Sequence, residues 1–569
     1  MDSTSNERAR DLFMGFSIFT EPMKTEIIEH ARSAMEELLK IGTAGHLLWK
    51  PQPKDRYDIL NQIEYMRQFG QVDSTLNSPT FATYQTEQPA SMETPTVALQ
   101  TEASRDMAFI NMSPISIVEL LMDVNEWSSA FYNIVSKATI VGTLLGAQGS
   151  YNDKLHVMSA ELHLPSTTVP IREYYFGRYS KKFSHNIWGI VDISLEKFIP
   201  SPTSNLLKRP SGCLISGMAN GHSKVAWVEH VEADHSHLDN YFKPLVASTL
   251  AFGASRWLNS LNRYGEWLQT LRATTFVADE GVLIPQTGRT SFLKLGDRMM
   301  KTFCANVSAT ADNPWMKITS FHGDSDVKVM IKNNVEDTAM PPGTSAVFTT
   351  SVWLEVSPNR LFNFLRHENS RTKTNLIMMA SIKLNVMPFI VPHVLTCLFV
   401  DFVEKLQWDM LSHRLVIRKV ASIPKGENPG NCVSLLRANT SQGKLQIFYL
   451  QESYTDSTGS YVVYAPLDES AITAIVKGTN PDRVMILPSG FSILPGRLQG
   501  DEDRGTTGSL LTVAFHVFES VTNKSHILPE YIHTMRKVIT DTVTSIKDIV
   551  QYHNRPNNWM EDSDFLVRF

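Results

Sequence analysis

Residues 224–232 read KVAWVEHVE and residues 240–271 read NYFKPLVASTLAFGASRWLNSLNRYGEWLQTL. The first stretch is about one strand long. In the second, Leu250, Ala254, Trp257, Leu258, Leu261, Leu268 and Leu271 recur at helical spacing, which predicts a helix from Leu238 to Leu271, roughly 50 Å long. So long an apolar stripe needs a surface to cover. The residues upstream offer one: Lys154 to Leu164, Arg172 to Tyr179, Ile187 to Leu195 and Gly212 to Met218 are each of strand length, and several are bounded by Gly, Pro or Asn. Sequential strands on short turns favour an antiparallel sheet. The expected fold is therefore α+β, a curved antiparallel sheet gripping a long C-terminal helix.

Working outward, Thr25 to Leu39 places Ile27, Ile28, Ala31, Met35, Leu38 and Leu39 on one helical face, with Gly42 marking the end. Residues 70 to 100 read as a mobile surface loop, and a short helix is expected around Ser116 to Val124. The second half repeats the plan. Val356-Ser357-Pro358 opens a helix through Leu361, Phe364 and Leu365, as Met112-Ser113-Pro114 opens one through Ile117, Leu120 and Leu121, and a tryptophan follows each, Trp127 and Trp408. Strand-like runs return at Val433 to Ala438, Leu445 to Glu452, Tyr461 to Ala465 and Leu510 to Phe518, before a final helix from Pro529 with Ile532, Met535, Val538, Ile539, Val543, Ile546 and Ile549 on one face. Two tandem helix-grip domains follow, at 18–272 and 289–553, with a leader at 1–17, a linker at 273–288 and a tail at 554–569.

Composition narrows the function. Of 569 residues, 42% are hydrophobic and 20% charged, an ordinary globular balance that excludes disordered and collagenous classes. Lys and Arg total 53 against 58 Asp and Glu, so the net field gives no attraction to phosphate backbones. The four cysteines (Cys213, Cys304, Cys397, Cys432) never stand in C-x-x-C spacing, which points to reduced thiols and an intracellular compartment. The first twenty residues lack the pattern of a secretory signal. Leu384 to Val400 is the most apolar run, but it is shorter than the roughly 20 residues of a spanning helix and carries Asn385, Pro388, Pro392 and His393, so no integral membrane segment is expected.

Several words of the sequence are familiar: Met112 to Ser129 (MSPISIVELLMDVNEWSS), Arg209 to Ile215 (RPSGCLI), Lys224 to Glu232 (KVAWVEHVE) and Asn240 to Trp257 (NYFKPLVASTLAFGASRW). They resemble the START lipid-binding domain of plant class IV homeodomain-leucine zipper transcription factors. The second half resembles that family's START-adjacent domain through Glu427 to Arg437 (ENPGNCVSLLR), Leu450 to Asp468 (LQESYTDSTGSYVVYAPLD), Leu487 to Pro495 (LPSGFSILP) and Gly508 to Phe515 (GSLLTVAF). The resemblance implies a non-enzymatic lipid- or sterol-binding protein linked to transcriptional regulation in the nucleus, needing no cofactor, with family transcription factors or other nuclear proteins as partners. An alternative keeps those partners without a working lipid pocket. Neither a W-F-Q-N-R-R-type recognition helix nor a leucine zipper occurs within these residues, so no direct DNA contact is expected of them. The family's continuous E-N-S-R-x-x-W-D pattern is interrupted here by the 34 residues Thr374 to Gln407, an insertion with the texture of translated intron.

In the strand from Arg172, period-two geometry puts Arg172, Tyr174, Phe176 and Arg178 on one face. The resemblance implies that an arginine here points into the cavity, and Arg178 is the preferred candidate for binding a carboxylate, phosphate or sterol hydroxyl; Glu161 is a candidate partner acid. Trp127, Phe131, Trp227, Leu250, Phe252 and Trp257 are candidate cavity liners, although ordinary core packing explains each as well. The cluster Glu229, His230, Glu232, Asp234, His235 and His237 has the chemistry of metal ligands, but strand alternation separates its members, and no metal site is expected. No G-x-S-x-G, H-E-x-x-H, P-loop or G-x-G-x-x-G word occurs.

Overall fold

The computed structural model describes residues 19–51, 57–69, 99–198, 206–236, 238, 242–273, 284–318, 326–335, 337–367, 415–440, 446–497, 507–520, 522 and 526–552. The readings for residues 1–17, 70–98, 374–407, Trp408 and 554–569 fall outside these. The chain divides into two compact units, residues 1–163 with 171–265 and residues 164–170 with 266–569.

In the first unit, helix α1 (Glu21–Thr43) leads into β1 (Trp49–Pro51), β2 (Asp58–Leu60), α2 (Gln62–Phe69) and the long strand β3 (Gln100–Ile110). Helices α3 (Pro114–Met122) and α4 (Val124–Ala130) follow, then β4 (Val135–Leu145), β5 (Lys154–Leu162), β6 (Arg172–Ser184), β7 (Ile187–Ser194), β8 (Leu206–Lys208), β9 (Ser211–Gly217) and β10 (Ser223–Ala233). Every pairing is antiparallel, in the order β1-β2-β3-β10-β9-β7-β6-β5-β4, with β8 beside β10. One face lies under α1, where Ile27, Ala31, Met35 and Leu38 bury with Tyr179, Val191, Leu214 and Val228. The other face receives α3, α4 and the C-terminal helix α6.

Helix α1 runs four residues past Leu39, and Gly42 is inside it rather than at its end. The glycine lies close against the sheet, where a Cβ would stand 2.8 Å from Leu214 Cδ1. At the other end of the unit, the single helix expected from Leu238 to Leu271 is two. A five-residue α5 (Lys243–Ala247) is followed by an irregular turn and then by α6 (Ala254–Arg272), 19 residues and about 28 Å long. The break has a local cause: Thr249 adopts φ +62°, which no helix interior tolerates. Gly253 then packs its backbone against Thr249 O and Ser104 Oγ, and Ser104 Oγ accepts from Ala254 N at 3.0 Å, capping α6 from β3. Leu250 and Phe252 consequently belong to the connection between α5 and α6, not to a lid helix.

The second unit repeats the topology. Helix α7 (Gln286–Asn306) opens it, beginning inside the stretch read as linker, and is followed by β11 (Met316–Lys317), β12 (Lys328–Asn334), β13 (Gly343–Leu354) and α8 (Pro358–Arg366). Then come β14 (Leu415–Pro424), β15 (Cys432–Thr440), β16 (Gln446–Thr455), β17 (Ser460–Leu467), α9 (Glu469–Val476), β18 (Ser489–Arg497), β19 (Thr507–Ser520) and α10 (Pro529–Tyr552). The sheet order β11-β12-β13-β19-β18-β17-β16-β15-β14 superposes in connectivity on the first sheet, so the expected duplication and the two helix-grip domains are present. Beneath α10 the interior is aliphatic and aromatic: Val538, Ile539 and Ile546 meet Val462, Ile493, Leu511 and Val513.

Gly253→Ala should destabilise the protein by about 1–3 kcal/mol, because the added methyl would sit 2.3 Å from a backbone oxygen that cannot withdraw without unwinding the α6 cap. Urea unfolding of the full chain measures it, and an unchanged midpoint would show that the turn is not tightly packed.

Candidate functional site

Helix α3 stops at Met122 because Asp123 leaves helical geometry and caps α4, its Oδ1 accepting from Asn125 N and Glu126 N at 2.9 Å. That leaves the last carbonyls of α3 without helical partners. Arg178 of β6 fills one of these vacancies, donating from Nη1 to Leu121 O at 2.8 Å. Its remaining fork grips Asp192, directly opposite on β7, through Nε–Oδ1 and Nη2–Oδ2 bonds of 2.8 Å each. Arg178 is 3% exposed, and its guanidinium lies 4.1 Å from the centre of the Trp127 ring.

Around this pair stands a second one. Lys208 Nζ lies 3.2 Å from Glu229 Oε2 and 3.9 Å from Asp192 Oδ2, and donates to the Tyr174 hydroxyl at 3.4 Å. Trp227 Nε1 donates to Glu229 Oε1 at 3.1 Å. Burial opposes the charges on Arg178 and Lys208, but Asp192 and Glu229 outweigh it and hold both cations above their ordinary values. Burial pushes the Glu229 carboxyl up, working against Lys208 and the Trp227 indole, and raises the Tyr174 hydroxyl and Cys213 thiol as well.

An aromatic wall adjoins the charges. Trp257 of α6 is sandwiched between Trp127 and Trp227, at centroid distances of 6.0 and 5.5 Å with the planes within 5°. Phe131 leans on Trp257 at 5.2 Å, and Phe176 meets Trp127 edge-on at 6.2 Å. The indole N–H of Trp257 donates to Phe252 O at 3.2 Å, whereas that of Trp127 is buried without a hydrogen-bond partner among the described residues.

Seven of the ten candidate residues thus converge: Arg178, Tyr174, Phe176, Trp127, Phe131, Trp227 and Trp257. Arg172 shares their face of β6 but lies at the strand's start, pairing with Glu102 of β3 (Nη1–Oε2 2.9 Å) and stacking over Phe252 at 4.2 Å, while Leu250 is half-buried in the connection beside it. The acid partner of Arg178 is Asp192 and not Glu161, whose carboxylate accepts from Ser136. The members of the histidine and acid cluster go separate ways: Glu229 faces Lys208, His230 packs against Tyr65 at 4.8 Å, Glu232 pairs with Arg209 at 2.9 Å, and His235 bonds Glu102 at 2.7 Å. His237 lies outside the described residues.

Sequence reasoning missed Asp192 and Lys208. The first is a lone acid in an apolar strand, a usable signal, because a buried strand tolerates a charge only when a partner faces it. Lys208 sits on a three-residue strand that leaves no pattern.

The second unit holds a neutral counterpart of the ion pair. Gln451 of β16 stands opposite Tyr464 of β17 and donates from Nε2 to Arg366 O at 3.0 Å, in the last turn of α8, as Arg178 does to α3. The same unit contains a serine, histidine and asparagine in line: Ser345 Oγ lies 3.0 Å from His516 Nε2, and Asn306 Nδ2 lies 3.3 Å from His516 Nδ1. Lys332 Nζ donates to Asn306 Oδ1 at 2.6 Å and so fixes the amide's orientation. Nδ1 must then accept, Nε2 carries the proton and points it at the serine, and burial lowers the imidazole pKa to about 3. The tautomer is the reverse of what a general base requires.

A START domain model matches residues 31–267, and a "PDF2-like, C-terminal domain" model matches 285–390 and 376–552. Homeobox-leucine zipper protein ROC8 of Oryza sativa subsp. japonica is 33% identical over 552 residues, 92% of this chain and 70% of the relative. The chain belongs to this plant homeobox-leucine zipper family. Homeobox-leucine zipper protein ANTHOCYANINLESS 2 of Arabidopsis thaliana is also 33% identical, over 93% of this chain, which spans 60% of that relative's length. Human StAR-related lipid transfer protein 5 overlaps 36% of the chain and 99% of its own, at 11% identity and a TM-score of 0.24. The site described above lies wholly within the START-matched residues of this family member. Among the described residues, no helix is long and apolar enough to cross a membrane.

Asp192→Ala should lower stability by about 3–5 kcal/mol, since it strands a buried guanidinium, whereas Gln451→Ala should cost about 1 kcal/mol, the loss of one neutral hydrogen bond. Equal losses in urea unfolding of the two full-length variants would contradict a charged tie to the short helix in the first unit and a neutral one in the second. A pH effect follows from His156, opposite Arg178 on β5, whose pKa falls to about 4 through burial and then through Lys154 and Arg178. A histidine depressed in the fold contributes stability above its unfolded value of about 6.5 and loses it as pH falls toward 4. The melting temperature should therefore fall less steeply across that window in His156→Gln than in the native chain.

Proposed function

We propose that this protein binds a lipid or sterol in its first unit without transforming it, and that occupancy is coupled to transcriptional regulation in the nucleus. The observation that carries the reading is the face between sheet and α6, where an indole stack adjoins a buried charge network and one indole N–H lacks a partner among the described residues. An apolar chain seated along such a wall gains about 25 cal/mol per Å² withdrawn from water, and the polar end of the site fixes its orientation. Arg178, Tyr174, Phe176, Trp127, Phe131, Trp227 and Trp257 are the proposed contacts, with Arg172, Phe252 and Leu250 closing the α5–α6 end.

The second unit has the same topology with an apolar core beneath its C-terminal helix and an amide where the first has an ion pair, which supports a role in contacts with nuclear proteins, family transcription factors among them. A ligand that binds only the folded form stabilises it by about 2.7 kcal/mol at a hundredfold excess over Kd. That is the physical means by which lipid supply would set the amount of active protein.

Lipids extracted from the purified full chain and identified by mass spectrometry test the reading. Bound lipid, or a melting temperature raised by a few degrees on adding it, is expected. A protein that is empty and unresponsive to added lipids would favour the reading in which the chain acts through protein contacts alone.

A further inference from the structure

The charges at the polar end of the site balance. Two cations, Arg178 and Lys208, are in contact with two anions, Asp192 and Glu229. We propose that the site selects uncharged lipids, whose polar end is a hydroxyl or carbonyl, over acidic or basic lipids of the same chain length, and that the Trp127 indole N–H reads that oxygen. This rests on the lipid-pocket reading and names its class of ligand.

A carboxylate entering the site finds no free cation within the cluster. It must either displace Asp192 from Arg178 or Glu229 from Lys208, stranding that acid, or remain as an extra buried negative charge; an ammonium meets the mirror problem. An uncharged oxygen escapes both and needs only a donor. Arg178 is engaged through Nε, Nη1 and Nη2, and Lys208 with Glu229 and Tyr174. Of the three stacked indoles, Trp227 donates to Glu229 and Trp257 to Phe252 O. Trp127 is the exception, 1% exposed and with its N–H unmatched among the described residues. Buried donors are nearly always satisfied, so this one marks the place for an acceptor carried by a ligand. Arg178, besides lining the polar end, positions the Trp127 ring against its guanidinium at 4.1 Å.

Octadecanol, stearic acid and octadecylamine, each supplied from cyclodextrin, can compete at pH 7.5 for the full chain against a fluorescent long-chain alcohol. Octadecanol should bind about tenfold more tightly than either charged analogue. Trp127→Phe should remove that advantage, weakening the alcohol about tenfold more than it weakens the acid or the amine. Asp192→Asn leaves the cluster one positive charge in excess and should turn the preference toward stearic acid; Glu229→Gln makes the same change of charge should the first variant fail to fold. Stearic acid binding the native chain as well as octadecanol does, or an alcohol affinity untouched by Trp127→Phe, would overturn the inference alone. Binding of none of the three would overturn the pocket reading and the inference with it.

Discussion

The first unit is organised around one buried ion pair. Arg178 and Asp192 face each other across β6 and β7, and in a medium that solvates charge poorly neither can stand without the other. The third hydrogen bond of the guanidinium ties α3 to the sheet through Leu121 O. Because α4 starts directly from the same turn, the position of Arg178 also fixes where Trp127 lies, and Trp127 sets the plane on which Trp257 stacks. Sheet, short helices and C-terminal helix are in this way referred to one point. Hydrophobic burial drives the assembly, but it is indifferent to small slippages; the forked hydrogen bonds are not.

The duplicated second unit shows what the topology requires and what it leaves open. Both units have a strand side chain that satisfies the C-terminal carbonyl of the short helix, Arg178 in one and Gln451 in the other. The backbone constraint is shared, since a buried helix end must find donors. The charge is not shared. An amide meets the requirement without a counter-ion, and the core beneath α10 is built of aliphatic and aromatic groups, whereas the guanidinium recruits Asp192 and, beside it, Lys208 and Glu229. The ion-pair cluster at the end of the short helix is therefore a property of the first copy's side chains and not of the fold.

Much of this was legible in the residues and some was not. Strands β5, β6, β7, β9 and β10 stand close to where apolar runs and turn residues put them, and the parity of β6 correctly grouped Tyr174, Phe176 and Arg178. Strands β3 and β4 escaped notice. Residues 100–110 read QTEASRDMAFI, in which Glu102 and Arg105 look like solvent residues but are buried against Arg172 and His235 in one case and Asp58 in the other. A charge loses its surface signature when its partner comes from a distant segment. The continuous helix expected through Leu250 fails although helical spacing persists across 249–253: Thr249 turns to φ +62°, and the bond from Ala254 N to Ser104 and the close packing of Gly253 hold the turn in place.

The order of residues alone determined the class of fold, its duplication and the face on which the strand side chains lie, because those depend on local periodicity and on short connections. Tertiary structure decided which charges meet. Asp192 reaches Arg178 through the register of β7 on β6, and Lys208 reaches Glu229 because β8 lies beside β10. Pairing across a sheet depends on turn geometry and on packing from both sides, and those are summed over the whole unit rather than written at any one position.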